Sequence, residues 1–249
     1  IGKPTLNGIN EDEVVNVLDA ILSRYHIVDF VIISGETESQ FRNNEQFIPV
    51  YEELFSNIYE KIKAKHSDIK FGNSFALHHV LNKNLKDIVN ELAIGDFVAF
   101  SYIPTDLVNE IIKIPEEAID DLTKIFEIVP NKKIGFFEIS WSTSSFVQGD
   151  SIGQTIFVEK LFNFYKDNES SIEFLTWYRY TDQEANTCVT KQQKIGDQII
   201  TVGGGSSMGT SEHVIERLNH YNCESGFIDV NQNYKLGWNE FKTQIQMLN

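Results

Sequence analysis

The sequence predicts an α/β protein in which helices alternate with the strands of a parallel sheet. From residue 11 to about residue 180, short runs rich in β-branched and aromatic residues alternate with longer segments of helical period. Successive strand candidates begin about 28 to 42 residues apart, which suits a strand, a helix and their connections. Each candidate is nearly all apolar, as expected of a strand that is covered on both faces.

Five segments fit the description of buried strands. They span residues 27–34 (IVDFVIIS), 69–75 (IKFGNSF), 97–102 (FVAFSY), 133–139 (KIGFFEI) and 172–177 (IEFLTW). The predicted helices show apolar residues at intervals of three and four positions. They span residues 14–22, 47–62, 81–92, 116–128, 152–165, 211–219 and 238–247.

The chain, residues 1–249, is predicted to form a single domain, because no internal repeat or interdomain linker interrupts it. Residues 181–221 break the alternation and are interpreted as a long excursion after the last strand of the sheet. This excursion is polar at first, strand-like at 198–202 (QIITV), and then rich in glycine and serine (GGGSSMG).

Composition and charge limit the classes of partner. The 249 residues include 36 Asp and Glu against 21 Lys and Arg, a formal net charge of -15, which disfavours binding to nucleic acid or to an anionic membrane. No apolar stretch approaches the roughly 18 residues that cross a bilayer. Cys188 and Cys223 are interpreted either as one disulfide or as two buried thiols. Because the chain begins at Ile1 rather than Met, we expect it to be processed, trimmed or partial.

Two of the predicted strands end in carboxylates, Glu36 and Glu138, and two others end in Tyr102 and Trp177. The C-terminal ends of parallel strands face one mouth, so groups distant in sequence converge there. Paired carboxylates can cleave a glycosidic bond, one protonating the leaving oxygen while the other attacks the anomeric carbon or activates water. Aromatic faces can pack against sugar rings. Trp141 fits either packing behind the site or contact with substrate.

Six segments in chain order resemble motifs of the clan A glycoside hydrolases, and the endo-β-1,4-galactanase-like and mannanase-like members resemble them best. VDFVIISGETES resembles the strand that carries the acid/base, and KKIGFFEISWSTSS resembles the strand that carries the nucleophile. The six segments span residues 28–39, 95–104, 132–145, 153–162, 174–182 and 226–241.

The resemblance implies a (β/α)₈ TIM barrel of which this chain holds strands four to eight. The missing strands are expected upstream in the parent protein, on a separate chain, or unassigned. Glu36 corresponds to the acid/base and Glu138 to the nucleophile of a retaining enzyme, with Tyr102 orienting Glu138 and Trp177 forming the floor of the sugar site. A carbohydrate substrate, no metal or organic cofactor, and export to the cell surface or the medium are implied as well.

One departure from the motif keeps other interpretations open. Gly35 stands where the family carries an Asn whose amide contacts the sugar. Catalysis is therefore weakened, supported by another residue, or lost, and a catalytically inactive barrel that binds glycan or protein is the second hypothesis. Another register would make Glu38 the acid/base.

Three further patterns in the sequence suggest other kinds of site, and each is weaker than the barrel motifs. Asp229 begins a segment like a calcium loop, but Tyr234 stands where the turn of such a loop requires Gly. Residues 205–209 (GSSMG) match a hydrolase elbow without the acid and His that should follow it. His78 and His79, which follow the second strand, are predicted to be structural or solvent-facing rather than substrate contacts.

Overall fold

A single parallel sheet forms the centre of the computed structural model, which describes residues 9–189, 193–195, 198–200 and 212–248. The sheet has five strands in the order β1-β2-β3-β4-β5, so every strand lies beside its neighbour in sequence. The strands are β1 (Phe30–Ser34), β2 (Lys70–Ala76), β3 (Phe97–Tyr102), β4 (Ile134–Ile139) and β5 (Ile172–Trp177). The five predicted strands are therefore confirmed in their order and parallel direction.

Helices connect the strands and cover one face of the sheet. They are α1 (Glu11–Arg24), α2 (Glu38–Phe41), α3 (Ile48–Lys63), α4 (Leu77–Lys83), α5 (Lys86–Leu92), α6 (Pro115–Thr123), α7 (Ile125–Ile128), α8 (Ser151–Asp167), α9 (Glu212–Cys223) and α10 (Leu236–Leu248). The helix predicted over residues 81–92 is instead two helices, because Asn84 adopts a left-handed conformation (φ 54°) that ends α4. The helix predicted over 116–128 is likewise divided, into α6 and α7.

The sheet curls so that its first and last strands approach each other across its inner face. The ring of Phe30 in β1 lies 4.7 Å from that of Phe174 in β5 and 5.6 Å from that of Phe97 in β3. Lys70 at the start of β2 also forms a 2.6 Å ion pair with Glu173 in β5. Gly72 permits this curvature, because a Cβ there would lie 2.2 Å from the carbonyl oxygen of Phe97.

The outer face of the sheet forms the main hydrophobic core. Val98, Phe100 and Phe136 are fully buried there, and the ring of Phe136 packs edge-on against that of Phe164 in α8. On the inner face, β1 and β5 are the two end strands of the sheet, and among the described residues neither pairs with a further strand on its outer side. The described part of the chain is thus an open, curved sheet with helices on its convex face.

The segment after β5 is tied down by a disulfide. Cys188 and Cys223 are joined by an S–S bond of 2.06 Å, which decides between the two interpretations of these cysteines. The bond connects this segment to the last residue of α9, and the carbonyl oxygen of the Asn219 side chain accepts hydrogen bonds from the N–H groups of Cys188 and Val189. Farther along, β6 (Gln193–Ile195) and β7 (Gln198–Ile200) form an antiparallel pair. The predicted strand over 198–202 corresponds to β7, and its last two residues lie outside the described residues.

Among the described residues, no helix combines the length and the apolar character needed to cross a bilayer.

Candidate active site

The C-terminal ends of four neighbouring strands bring Glu36 and Glu138 into one region. Ala76 of β2, Ser101 of β3 and Glu138 of β4 are register partners across the sheet. The Ser101 hydroxyl lies 3.5 Å from Oε1 of Glu36, which follows the end of β1. Ser101 therefore stands between the two carboxylates and hydrogen-bonds to the first of them.

An irregularity in β4 turns Glu138 toward the inner face. Phe100 pairs with Phe136, but the next residue, Ser101, pairs with Glu138, so Phe137 is the extra residue of a bulge. In a regular strand, Glu138 would share the outer face with Phe136 and point at the helices. Because of the bulge it shares the face of Ser101 and Glu36 instead.

Glu36 itself has an uncommon backbone conformation. Its φ is +46°, in the left-handed region that residues other than glycine seldom adopt. Hydrogen bonds hold this turn in place: the N–H of Glu36 donates to Oγ of Ser74 (3.1 Å), and that of Thr37 donates to the Ser74 carbonyl oxygen (2.8 Å). Backbone strain of this kind is concentrated at functional sites. The carboxylate of Glu36 is thus directed by its fixed turn.

The surroundings of both carboxyls favour their protonated forms. Burial raises the pKa of Glu36, and the negative charge of Glu38 raises it further, against smaller opposing effects of His79, Ser101 and Lys83. Desolvation, followed by the charge of Glu36, raises the pKa of Glu138 to about 7. The Glu138 side chain is open to solvent, yet the protein atoms around it make desolvation the larger of these causes.

Two carboxyls in this situation can divide the roles of acid and anion. The charge on Glu36 disfavours a charge on Glu138, so the pair resists ionising at both positions. A protonated carboxyl beside an ionised one is the arrangement that glycosidic bond cleavage requires. The arrangement can therefore supply a proton donor and a nucleophile, or a proton donor and a general base, near neutral pH.

Tyr102 does not take the position expected from the resemblance. It is 1% exposed, and its hydroxyl donates a 2.8 Å hydrogen bond to Oδ2 of Asp121 in α6. Because side chains alternate along β3, Tyr102 faces the helices when Ser101 faces the inner side. The expectation that Tyr102 orients Glu138 is therefore corrected, because its hydroxyl is bonded to Asp121 instead.

The two tryptophans also pack on the helix side of the sheet. Trp141 is 3% exposed and lies 5.3 Å from the ring of Phe157 in α8, so of its two interpretations the structure favours packing behind the site. Trp177 pairs with the buried Ile139, donates from Nε1 to the carbonyl oxygen of Ser225 (3.0 Å) and stacks on Phe227 (4.6 Å). Its predicted role as the floor of a sugar site stays a prediction, with the ring placed against the outer layer.

Sequence reasoning missed Tyr178 and Arg179, which follow β5. The N–H of Tyr178 still bonds to the carbonyl oxygen of Ile139, so alternation directs Tyr178 to the side opposite Trp177. Arg179 lies over the Tyr178 ring, with its guanidinium carbon 5.1 Å from the ring centroid, and its charge opposes the rise in the Glu138 pKa. The sequence signal for both residues is their position in WYRY, directly after the last predicted strand, where the prediction considered only Trp177.

Glu38, the alternative acid/base, is enclosed. Its side chain is 0% exposed, and Oε2 accepts a 3.3 Å hydrogen bond from the N–H of Ala76, so substrate cannot reach it in this conformation. His78 and His79 are 7% and 5% exposed, which fits the structural rather than the solvent-facing interpretation of each.

Of the other patterns, the calcium-like loop has a structural explanation and the hydrolase elbow lies outside the described residues. Oδ1 of Asp229 accepts hydrogen bonds from the N–H groups of Asn231 and Asn233, closing the local turn. The GSSMG elbow at 205–209 lies outside the described residues. Within the part of the chain that the structure describes, no group of three or more His, Cys, Asp or Glu side chains is arranged to hold a metal ion.

No family profile matches this sequence, and no curated protein is similar to it at a significant level. Solved structures do match. A family 17 β-1,3-glucanosyltransferase from Rhizomucor miehei is 14% identical with a TM-score of 0.54, over 95% of this chain and 72% of that one. Xylanase 10B from Thermotoga maritima is 14% identical with a TM-score of 0.56, over 96% and 68%. A β-glucuronidase from an uncultured Clostridium sp. is 13% identical with a TM-score of 0.55, over 95% and 35%.

These similarities establish the fold. The matching enzymes are TIM-barrel glycoside hydrolases of clan A, and this chain matches part of such a barrel, with five parallel strands in one open sheet. The chain spans about a third of the β-glucuronidase that it matches and about 70% of the other two enzymes. At these identities the similarity extends to the fold, and the galactanase-like or mannanase-like subtype is not supported by it.

Proposed function

We propose that this protein is a retaining glycoside hydrolase that cleaves β-glycosidic bonds in a polysaccharide or oligosaccharide. The observation that carries the proposal is the convergence of Glu36 and Glu138 at the strand ends, on either side of Ser101. The bulge in β4 supports it further, because it places the Glu138 carboxylate on the face of Ser101 and Glu36, whereas a regular strand would point it at the helices.

In this mechanism Glu36 begins protonated and gives its proton to the leaving glycosidic oxygen. Glu138 attacks the anomeric carbon at the same time, so the C–O bond to the leaving group breaks as the bond to the Glu138 carboxylate forms. Glu36, now ionised, removes a proton from water, and that water displaces Glu138 from the sugar. Burial and the neighbouring Glu38 support the first step, because they raise the pKa of Glu36.

For the substrate, we propose a neutral β-linked glycan, with the galactan and mannan types suggested by the sequence motifs as first candidates. The matching structures are named for action on different glycans, β-1,3-glucan and xylan among them, so they support a carbohydrate without selecting one. We also propose export to the cell surface or medium. The Cys188–Cys223 disulfide supports export, because such bonds persist mainly in oxidising compartments.

We further propose that three additional β/α units complete the barrel beside β1 and β5. Parallel sheets are normally covered on both faces, and a closed barrel of this class has eight strands. The described sheet has five strands, with both end strands unpaired on their outer sides.

A variant pair tests the catalytic assignment. Replacing Glu138→Gln, and separately Glu36→Gln, should lower the release of reducing ends from the best glycan of a β-glycan panel by at least about a thousandfold, with thermal unfolding unchanged. The matched control is Glu53→Gln, because Glu53 is an exposed glutamate on α3. Either site variant retaining full rate would overturn the assignment, and proton NMR of the first-formed anomer would distinguish retention from inversion.

The second candidate function is a catalytically inactive barrel that binds glycan or protein. Gly35 in place of Asn and the outward position of Tyr102 favour it, since both remove contacts that the resemblance assigns to the reaction. Binding of a glycan in titration calorimetry, with no reducing ends released over days, would select this candidate over the enzyme.

A further inference from the structure

Two buried ionisable residues, Glu38 and His79, lie close to Glu36. Glu38 begins α2 and is 0% exposed, and His79 lies in α4 and is 5% exposed. Oε1 of Glu38 is 3.7 Å from Nδ1 of His79. Neither residue contacts substrate in the proposed mechanism, although burying ionisable groups costs free energy.

Glu36 and Glu38 are attached to the same strand end. Ser74 holds the backbone on both sides of Glu36, since its Oγ accepts from the N–H of Glu36 and its carbonyl oxygen accepts from the N–H of Thr37. Two residues farther along β2, the N–H of Ala76 donates to Oε2 of Glu38. Hydrogen bonds to this strand end therefore hold the backbone of Glu36 and the carboxyl of Glu38, and protein rather than bulk water lies around Glu38, so its charge acts strongly on Glu36.

Other charged groups also face this cluster. Lys83 at the end of α4 acts on Glu36, Glu38 and His79, and Arg42 acts on His79 and Lys83. His78, whose ring lies 4.1 Å from that of His79, is held neutral by burial, with Lys83 and Lys113 adding to that effect. Glu138 faces Glu36 from β4.

The directions of the pKa shifts assign a charge state to each member. Burial raises the pKa of Glu38 to about 7, and burial lowers the pKa of His79 to about 4. Between these values both side chains are neutral, and Glu38 becomes negative as the pH rises through neutrality. Its negative charge is the second cause, after burial, of the raised pKa of Glu36.

We propose that Glu38 is a positioning residue that keeps Glu36 in its acid form toward higher pH. The proposal rests on the proposed function of Glu36 as acid/base. Glu38 touches no substrate, since it is fully enclosed, and it acts through its charge on the neighbouring carboxyl.

The sign of the effect follows from the charge that Glu38 acquires as the pH rises through about 7. As the pH rises, Glu38 loses its proton, and the resulting charge opposes the loss of the proton from Glu36. Glu38→Gln removes that charge, while the amide oxygen can still accept the hydrogen bond from Ala76. The alkaline limb of kcat/KM should therefore move to lower pH by roughly one unit, with kcat/KM at pH 5 and the KM unchanged.

The experiment compares Glu38→Gln, His79→Gln and the control Glu53→Gln. His79→Gln should move the alkaline limb the opposite way, to higher pH, because the effect of His79 opposes the rise in the Glu36 pKa. If Glu38→Gln fails to fold, the order in which Glu38 and Glu36 lose their protons in the wild type tests the proposal instead. Carbon-13 NMR titration of the Glu36 carboxyl, assigned with Glu36→Gln, gives a second measurement that needs no turnover.

The two proposals fail in different ways. If no variant and no wild-type protein releases sugar, but Glu36 titrates at lower pH in Glu38→Gln, the enzyme assignment falls and the role of Glu38 stands. If the wild type turns over glycan, and neither the pH profile nor the Glu36 titration changes in Glu38→Gln, the role of Glu38 is overturned.

Discussion

Gly35 is the residue at which the resemblance and the structure can be tested against each other. It is exposed, and a Cβ placed on it would meet no atom within 4 Å, so nothing in the described structure requires glycine there. Gly35→Asn should therefore fold normally. If the site works as in the glycoside hydrolases that the motifs resemble, the added amide should raise kcat roughly tenfold by stabilising the transition state. Measured kcat and thermal unfolding check this prediction.

Gly35→Ala is the matched control, because it fills the same space without an amide. Equal rates for the Asn and Ala variants would show that the amide makes no contact with substrate here. A large loss of stability in both would show that the open space at Gly35 is needed by the fold.

Residue types in a motif predicted the two carboxylates but not the directions of the aromatic side chains. Glu36 and Glu138 follow apolar strands, and that pattern is visible in sequence. The bulge at Phe137 is not visible, and it places Glu138 on the inner face. Tyr102 belongs to a regular strand end and so faces Asp121. Sequence therefore identified which residues stand at the strand ends, while register decided which of them meet.

At the scale of elements, the disulfide is the feature with the clearest measurable effect. Cys188 and Cys223 are 35 residues apart, and closing a loop of that length contributes about 2–4 kcal/mol to the free energy of unfolding. Reduction should lower the melting temperature by roughly 5–10 °C. Thermal unfolding with and without reductant measures the effect.

The double variant Cys188→Ser with Cys223→Ser provides the control for this measurement. It should melt like the reduced wild type and should not respond to reductant. A wild type whose melting temperature is unchanged after its thiols are shown to be free would contradict the prediction.

Sequence periodicity predicted the elements of the sheet more accurately than the helices between them. Strands buried on both faces are continuous apolar runs, so β3 and β5 agree with their predicted limits. The helical period continues across Asn84, where the chain in fact turns through a left-handed residue and begins a new helix. Asn adopts that conformation more readily than most residues, but its presence in a helical pattern does not require it.

At the scale of the whole molecule, the curved sheet needs more than the described strands to cover it. The inner face of α1 packs Val15 and Leu22 against α3 and β1, yet its outer face leaves Val17 54% exposed and Ile21 45% exposed. Ile27, just before β1, is 89% exposed. These apolar residues border the strand whose outer side is unpaired among the described residues, and such an edge readily pairs with another chain.

The 249-residue chain expressed alone should therefore associate with itself. We expect light scattering to give a mass well above the 28.5 kDa of one chain, and the dye ANS to bind to the exposed apolar surface. Val17→Lys with Ile21→Lys should reduce both signals, because the charges oppose burial of the α1 face. Adding three β/α units of a matching barrel should give a monomer that binds no dye. A chain that is already monomeric and binds no dye would contradict the proposal of three additional units, because it would show that the edge beside β1 needs no further strands.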